Sequence, residues 1–168
     1  LTVVPDRGLQ VRAFSRGNVS QLDPREAGVP RPGALAFKLL QADWSLALAI
    51  AKLDPWVTAQ VLHEVTLREG QTLSRVRLAY RIENAAMKAL RVRFTGLDES
   101  SAATLRASGP TVGDFVPVAG EEGLWEIRFQ RGVAGETAVD IEFQQAAGEQ
   151  VTVAPVAAAE VRQASYFV

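Results

Sequence analysis

The sequence predicts an all-β fold, an antiparallel sandwich of two sheets that is immunoglobulin-like or larger, with room for one short helix. Apolar and polar residues alternate over much of the chain, which is the period of half-buried strands. Turn residues separate the alternating segments, and no strand–helix–strand alternation indicates a parallel sheet. With 168 residues, 48% of them hydrophobic, the chain is long enough for one domain over residues 1–168.

Two neighbouring segments alternate most clearly, with apolar odd positions over residues 56–67 and apolar even positions over residues 76–82. Between them, Gly70 and Gln71 predict a two-residue type II′ turn, because glycine accepts the positive φ of its first central position. We therefore predict a hairpin. Its register pairs Val65 with Val76, His63 with Leu78 and Val61 with Tyr80 inward, and Glu64 with Arg77 and Thr66 with Arg75 outward.

Weaker alternation predicts further strands, with turns between them. The links 84–88 and 131–135 suit a second and a third reversal, and the segments 15–33 and 109–123 are predicted loops because they are rich in proline and glycine. Residues 100–107 suit a short helix or a strand. The additional strands are predicted over residues 8–14, 35–40, 44–53, 90–94, 125–129, 139–143 and 161–168, and alanines leave a helix open for 44–53.

The alternation also predicts which large side chains face the core. Trp44 shares its face with Leu46, and Trp125 shares its face with Ile127, so both tryptophans are expected inside. His63, the only histidine, faces inward as well. We predict a structural role for it, with a general base or a metal ligand as the alternative.

Composition excludes several classes of function. The chain has no cysteine, which excludes disulfides and thiolate chemistry, and one histidine is too few for the usual zinc sites. A net charge of -1 does not favour nucleic acid or an anionic membrane as a partner. No apolar run is long enough to cross a bilayer, and no glycine-rich phosphate-binding loop is present. We therefore predict no cofactor, no metal and no membrane span.

Arginines alternate with apolar residues after the hairpin, so they are predicted to project from the outer face of one sheet region. A row of guanidinium groups suits an acidic polysaccharide or a phosphate-bearing surface. A solvated face, partly neutralised by Glu64 and Glu83, and a face packed on a neighbouring domain are the alternatives. The arginines are Arg75, Arg77, Arg81, Arg91 and Arg93, of which the last four are candidate ligand-binding residues.

Trp56 is the fifth candidate ligand-binding residue. It follows Asp54 and Pro55 at a predicted turn, where an aromatic ring can stack on a sugar or cap the end of the sandwich. With the loop 109–123 it would form the platform of a carbohydrate-binding module.

Paired carboxylates suggest a further alternative, a glycoside hydrolase-like enzyme, since such enzymes place two carboxyl groups across a cleft. Asp98-Glu99, Asp114 and Glu121-Glu122 all lie in predicted turns or loops. Solvated turns have the same composition, so no catalytic residue is predicted.

The segment Leu67–Phe94, with Gly70 at its turn, Tyr80 and Asn84, resembles β-sandwich segments of large uncharacterised bacterial envelope proteins. It spans about a sixth of the chain and contains no family signature. The resemblance implies a sandwich fold and carries no site residue with it. A strong excess of arginine over lysine is typical of GC-rich bacterial genomes.

These observations lead to a functional prediction. We expect a non-catalytic structural or interaction module, excised from a larger bacterial extracytoplasmic protein whose signal peptide would lie upstream. Its expected partners are neighbouring domains of the same polypeptide, envelope proteins or a polysaccharide.

Overall fold

A computed structural model describes residues 1–168. The fold is nearly all β with antiparallel sheets and one short helix, which confirms the predicted class. No helix is long and apolar enough to span a bilayer. The chain divides into two compact units, Leu1–Asp54 and Pro55–Val168, which are described separately. The single domain over residues 1–168 stays a prediction.

The unit Leu1–Asp54 contains a three-stranded sheet of order β1-β4-β3 and a two-stranded ribbon of β2 and β5. The segment 44–53 forms a strand, not a helix, because it pairs along its length with β2. The predicted loop 15–33 was wrong where it covers the end of β2 and all of β3. The strands are β1 (Thr2–Val3), β2 (Leu9–Gly17), β3 (Val19–Leu22), β4 (Leu35–Leu39) and β5 (Ser45–Lys52).

The ribbon leaves large apolar side chains in solvent. Trp44 is 40% exposed and Ile50 is 67% exposed, so the prediction that Trp44 lies in the core was wrong. Phe14 is 78% exposed at a register shift between Ala13 and Ser15. Alternation shows which face of a strand is apolar, but it does not show whether another layer covers that face.

The unit Pro55–Val168 contains one seven-stranded sheet, ordered β12-β6-β7-β10-β8, with β11 added to β7 and β9 added to β10. All pairs are antiparallel except β12 with β6. The predicted loop 109–123 was wrong where it covers β9, and residues 100–107 contribute to both a helix and a strand. The elements are β6 (Trp56–Arg68), β7 (Gln71–Phe94), α1 (Glu99–Ala102), β8 (Arg106–Ser108), β9 (Val112–Pro117), β10 (Leu124–Ala146), β11 (Val156–Ala159) and β12 (Gln163–Phe167).

The first predicted turn is a true hairpin, but its register differs by two residues. The loop is Glu69-Gly70, with Gly70 at the second central position and φ of 73°. A type II′ turn would need positive φ at the first central position instead, so that prediction was wrong. An even shift keeps every side chain on its predicted face. The observed pairs are Val65 with Ser74, His63 with Val76, Val61 with Leu78, Glu64 with Arg75, Thr66 with Leu73 and Leu62 with Arg77.

The other two predicted turns were wrong, because both segments lie inside long strands. Residues 84–88 belong to β7 and residues 131–135 belong to β10, and the two strands pair on either side of them. The pairing has two successive irregularities. In the first, four residues of β10 lie opposite a single residue of β7, and in the second, four residues of β7 lie opposite a single residue of β10. Asn84 and Gly135 have φ of 66° and 84° there. Such paired irregularities bend strands without reversing them.

The bend folds the sheet into two layers that share one core. The first layer contains β12, β6, the start of β7, the end of β10 and β8. The second contains β11, the end of β7, the start of β10 and β9. Phe94 of the second layer meets Phe143 of the first edge to face, with ring centroids 5.7 Å apart. Fully buried core residues from both layers are Val76, Leu78, Val92, Ile127, Val139 and Ile141.

Candidate functional site

The outer face of the first layer contains a trough. Inward residues of its central strands are buried, so the residues between them point to solvent. Cross-strand pairing places Gln60, Ala79 and Ala138 in one outward row. The two alanines make a low floor, and the space above it measures about 780 Å³, within the range of ordinary ligand sites.

Polar side chains form the borders of the trough. Thr58, Arg81 and Glu136 make the adjoining row along one side. Pro110 and Thr111, from the link between β8 and β9, line the end beyond β10. The Nε atom of Arg81 donates to Glu83 Oε1 at 2.9 Å, so this arginine forms an ion pair with a residue of its own strand. Hydroxyl, amide, guanidinium and carboxylate groups therefore border one cavity.

Trp56 lies on the same outward face at the start of β6, two residues before Thr58 and about 7 Å from it along the strand. Its side chain is 45% exposed, as expected for a residue at a turn. The guanidinium of Arg162 lies 4.9 Å from the ring centroid, a cation–π contact on the aromatic face. This contact fixes the ring near the trough.

The structure separates the four candidate arginines into two pairs. Arg77 and Arg81 lie before the bend of β7, on the outer face of the first layer. Arg91 and Arg93 lie after the bend, on the outer face of the second layer. The prediction of one sheet region was wrong, because the continuous alternation of β7 gives no sign that the strand changes layers.

The arginines of the second layer are engaged in ion pairs. Arg91 contacts Glu160 at 2.7 Å and Glu126 at 3.4 Å, and Arg93 contacts Glu121 at 3.3 Å. The bonds to Glu160, with those to Glu126, raise the pKa of Arg91. Positive charge on this face is therefore locally neutralised.

Glu126 is the centre of that network. It accepts from Arg128 at 2.8 Å as well as from Arg91, and these bonds lower the pKa of its carboxyl group. Its side chain is only 19% exposed.

Ion pairing on the first layer is incomplete. Arg75 contacts Glu142 at 2.7 Å, and this bond raises the pKa of Arg75. Arg77 stands opposite Asp140 in the register, but neither forms an ion pair. Glu136 in the trough forms none either. Arg77, Asp140 and Glu136 are thus groups without ion pairs on the outer face of the first layer.

Three of the carboxylates considered for glycoside hydrolysis are engaged by other groups. Asp98 caps α1 by accepting from Ser101 N and Ser100 Oγ, both at 2.7 Å, and these bonds lower its pKa. Asp114 accepts from the following backbone amide, and Glu121 pairs with an arginine. A general acid at neutral pH needs a raised carboxyl pKa, the opposite of the direction at Asp98.

His63 points into the core, as predicted, and is 5% exposed. Its ring lies 6.0 Å from that of Phe143, and its Nε2 atom has no hydrogen-bond partner. Burial lowers the pKa of the imidazole. The neutral ring therefore serves as a packing group, on the opposite side of the sheet from the trough.

Sequence reasoning missed Gln60, Glu136 and the two floor alanines. The sequence contained one sign of a low floor at Ala79, which is a small residue between arginines on the outward side of β7. Its alignment with Ala138 depends on the register between two strands that are distant in sequence, which the pattern alone does not specify.

No group of three or more histidine, aspartate or glutamate side chains is placed to hold a metal ion. Comparison of the chain with protein-family models, curated proteins and solved structures gives no match.

Proposed function

We propose that this chain is a non-catalytic interaction module of a bacterial extracytoplasmic protein, with the trough as its binding surface. The observation that carries the proposal is the cavity of about 780 Å³ over the alanine floor, bordered by Gln60, Glu136 and Arg81. Concave sites with a few convergent polar groups are the usual places of ligand binding.

The remaining polar chemistry favours binding over catalysis. Glu136 is the one carboxylate that borders the trough, whereas glycoside hydrolysis uses two across a cleft. His63, the residue best suited to proton transfer near neutral pH, has its side chain in the core.

The proposed compartment rests on the sequence. A chain rich in arginine relative to lysine, and similar in residues 67–94 to envelope sandwich segments, suits a bacterial extracytoplasmic protein. The proposed partners are therefore an envelope protein, a neighbouring domain or a polysaccharide.

Co-sedimentation with isolated bacterial cell envelopes tests this proposal. Ala79→Phe places a large ring on the exposed floor and should abolish co-sedimentation. Ala51→Phe is the matched control, because Ala51 is also an exposed strand residue but lies in the other compact unit. Absence of sedimentation, or an equal loss in both variants, would refute the trough as the binding surface.

A further inference from the structure

We infer that the trough binds an uncharged glycan chain, lying across the strands over Gln60, Ala79 and Ala138. This inference rests on the proposed function and specifies its ligand. Three features carry it: the balance of charge around the trough, the paired backbone of β6 and β7 in its floor, and the partly exposed ring of Trp56 beside it.

The charge balance distinguishes neutral from acidic ligands. Arg81 borders the trough on the same row as Glu136, and in the row beyond the floor Arg77 stands opposite Asp140. An acidic polysaccharide would bring its carboxylates towards two carboxylates as well as two guanidinium groups, so attraction and repulsion offset each other. The sequence suggested an acidic glycan because it predicted one row of arginines. The structure divides these arginines between two faces.

The floor disfavours a peptide. β10 pairs with β8 only over residues 140–142. Along the floor, β6 and β7 are each paired on both sides, so their backbone groups are used within the sheet. A peptide cannot add to them as a further strand, which is the common way for sheets to bind extended chains. The floor also offers only alanine methyl groups to apolar side chains.

The side chains that do reach the trough suit hydroxyl groups. A sugar hydroxyl both donates and accepts, and the lining contains donors in Arg81, acceptors in Glu136, and groups of both kinds in Gln60, Thr58 and Thr111. Trp56 adds a partly exposed aromatic surface on the same face, held by Arg162. A pyranose ring has apolar C–H faces that stack on such a ring.

Titration with named polysaccharides tests the inference. Arabinoxylan, glucomannan and mixed-linkage β-glucan are the neutral probes, and polygalacturonate and alginate are the acidic probes. We expect at least one neutral polymer to bind the intact chain. Its affinity should fall by roughly tenfold or more in Ala79→Phe and in Trp56→Ala, and stay within about twofold in Ala51→Phe.

Two results would overturn the inference: binding of acidic polymers alone, or neutral binding that Ala79→Phe leaves unchanged. Protease treatment of the cell envelopes separates this failure from failure of the proposed function. If protease removes co-sedimentation that is sensitive to Ala79→Phe, the trough binds a protein and only the glycan inference fails. If Ala79→Phe has no effect on envelopes or polymers, both fail.

Discussion

The outer faces of the two layers carry arginines from the same strand, β7, and differ in what those arginines contact. On the second layer Arg91 and Arg93 each contact a carboxylate from another strand or loop. On the first layer Arg77 has no ion pair, and a low alanine row separates it from Arg81. One alternating pattern therefore produces a face whose arginines are ion-paired and a face on which Arg77 has no ion pair.

The difference arises from the neighbouring strands rather than from β7 itself. Glu126 lies between Arg91 and Arg128, is mostly shielded from solvent, and forms an ion pair with each of them. Glu136, ten residues later on the same strand, stands opposite Arg81, but that arginine is bonded to Glu83. Local sequence thus determines which residues face outward. Cross-strand register determines which of these residues form ion pairs and which do not.

The largest expected effect tests whether one core supports both faces. Phe94 links the second layer to the first through Phe143. Phe94→Ala should lower the free energy of unfolding by about 3–5 kcal/mol, since it leaves a cavity between the layers. Chemical denaturation measures this, with Phe14→Ala as the exposed control, expected to stay within about 0.5 kcal/mol. A loss below about 1 kcal/mol for Phe94→Ala would contradict the shared core.

The next effect is a pH dependence from His63 in that core. Its pKa in the folded chain lies below the ordinary 6.5, so the unfolded chain binds the proton more tightly. The buried His63 therefore does not reduce the free energy of unfolding above about pH 6.5. Below this value the free energy of unfolding falls, by up to about 1.4 kcal/mol for each further pH unit. Asp98 and Glu126 have lowered pKa values, so their stabilising contributions are present at neutral pH and are lost only as the pH falls below their ordinary values of 3.8 and 4.5.

Denaturation at pH 7 and pH 5 measures this dependence. The wild-type chain should be less stable at pH 5 than at pH 7, and His63→Leu should lose much less of its stability between the two values. Equal losses in both proteins would assign the pH dependence to another group.

The smallest effect compares two carboxylates of β10 directly. Glu126→Gln should destabilise the fold by up to about 1 kcal/mol, because it weakens two ion pairs at a mostly shielded site. Glu136→Gln, in the trough, should change stability by less than about 0.5 kcal/mol. Thermal unfolding of both variants decides this, and a larger effect at Glu136 would show that the trough carboxylate is structural.

The sequence was sufficient for the fold class, the faces of β6 and β7, and the hairpin at Gly70. Period-two alternation specifies these features through nearest neighbours alone. It did not reveal that the segments around Asn84 and Gly135 bend in parallel, because a bulge and a turn use the same residue types.

The candidate site was only partly predictable. Arg77 and Arg81 were identified from their outward positions and Trp56 from its place at a predicted turn, and all three do lie on one face. Arg91 and Arg93 were assigned to that face in error, since the change of layer depends on the bend. The trough itself depends on the pairing of Ala79 with Ala138, which lie 59 positions apart in the chain, and no local pattern encodes it.

Arginine-specific modification tests the difference between the two faces most directly. Phenylglyoxal reacts with accessible guanidinium groups, and mass spectrometry gives the rate at each residue. Arg77, without a carboxylate partner, should react faster than Arg91, which is held by Glu126 and Glu160. If Arg91 reacts as fast as Arg77, its ion pairs do not protect it, and the distinction between the two faces is contradicted.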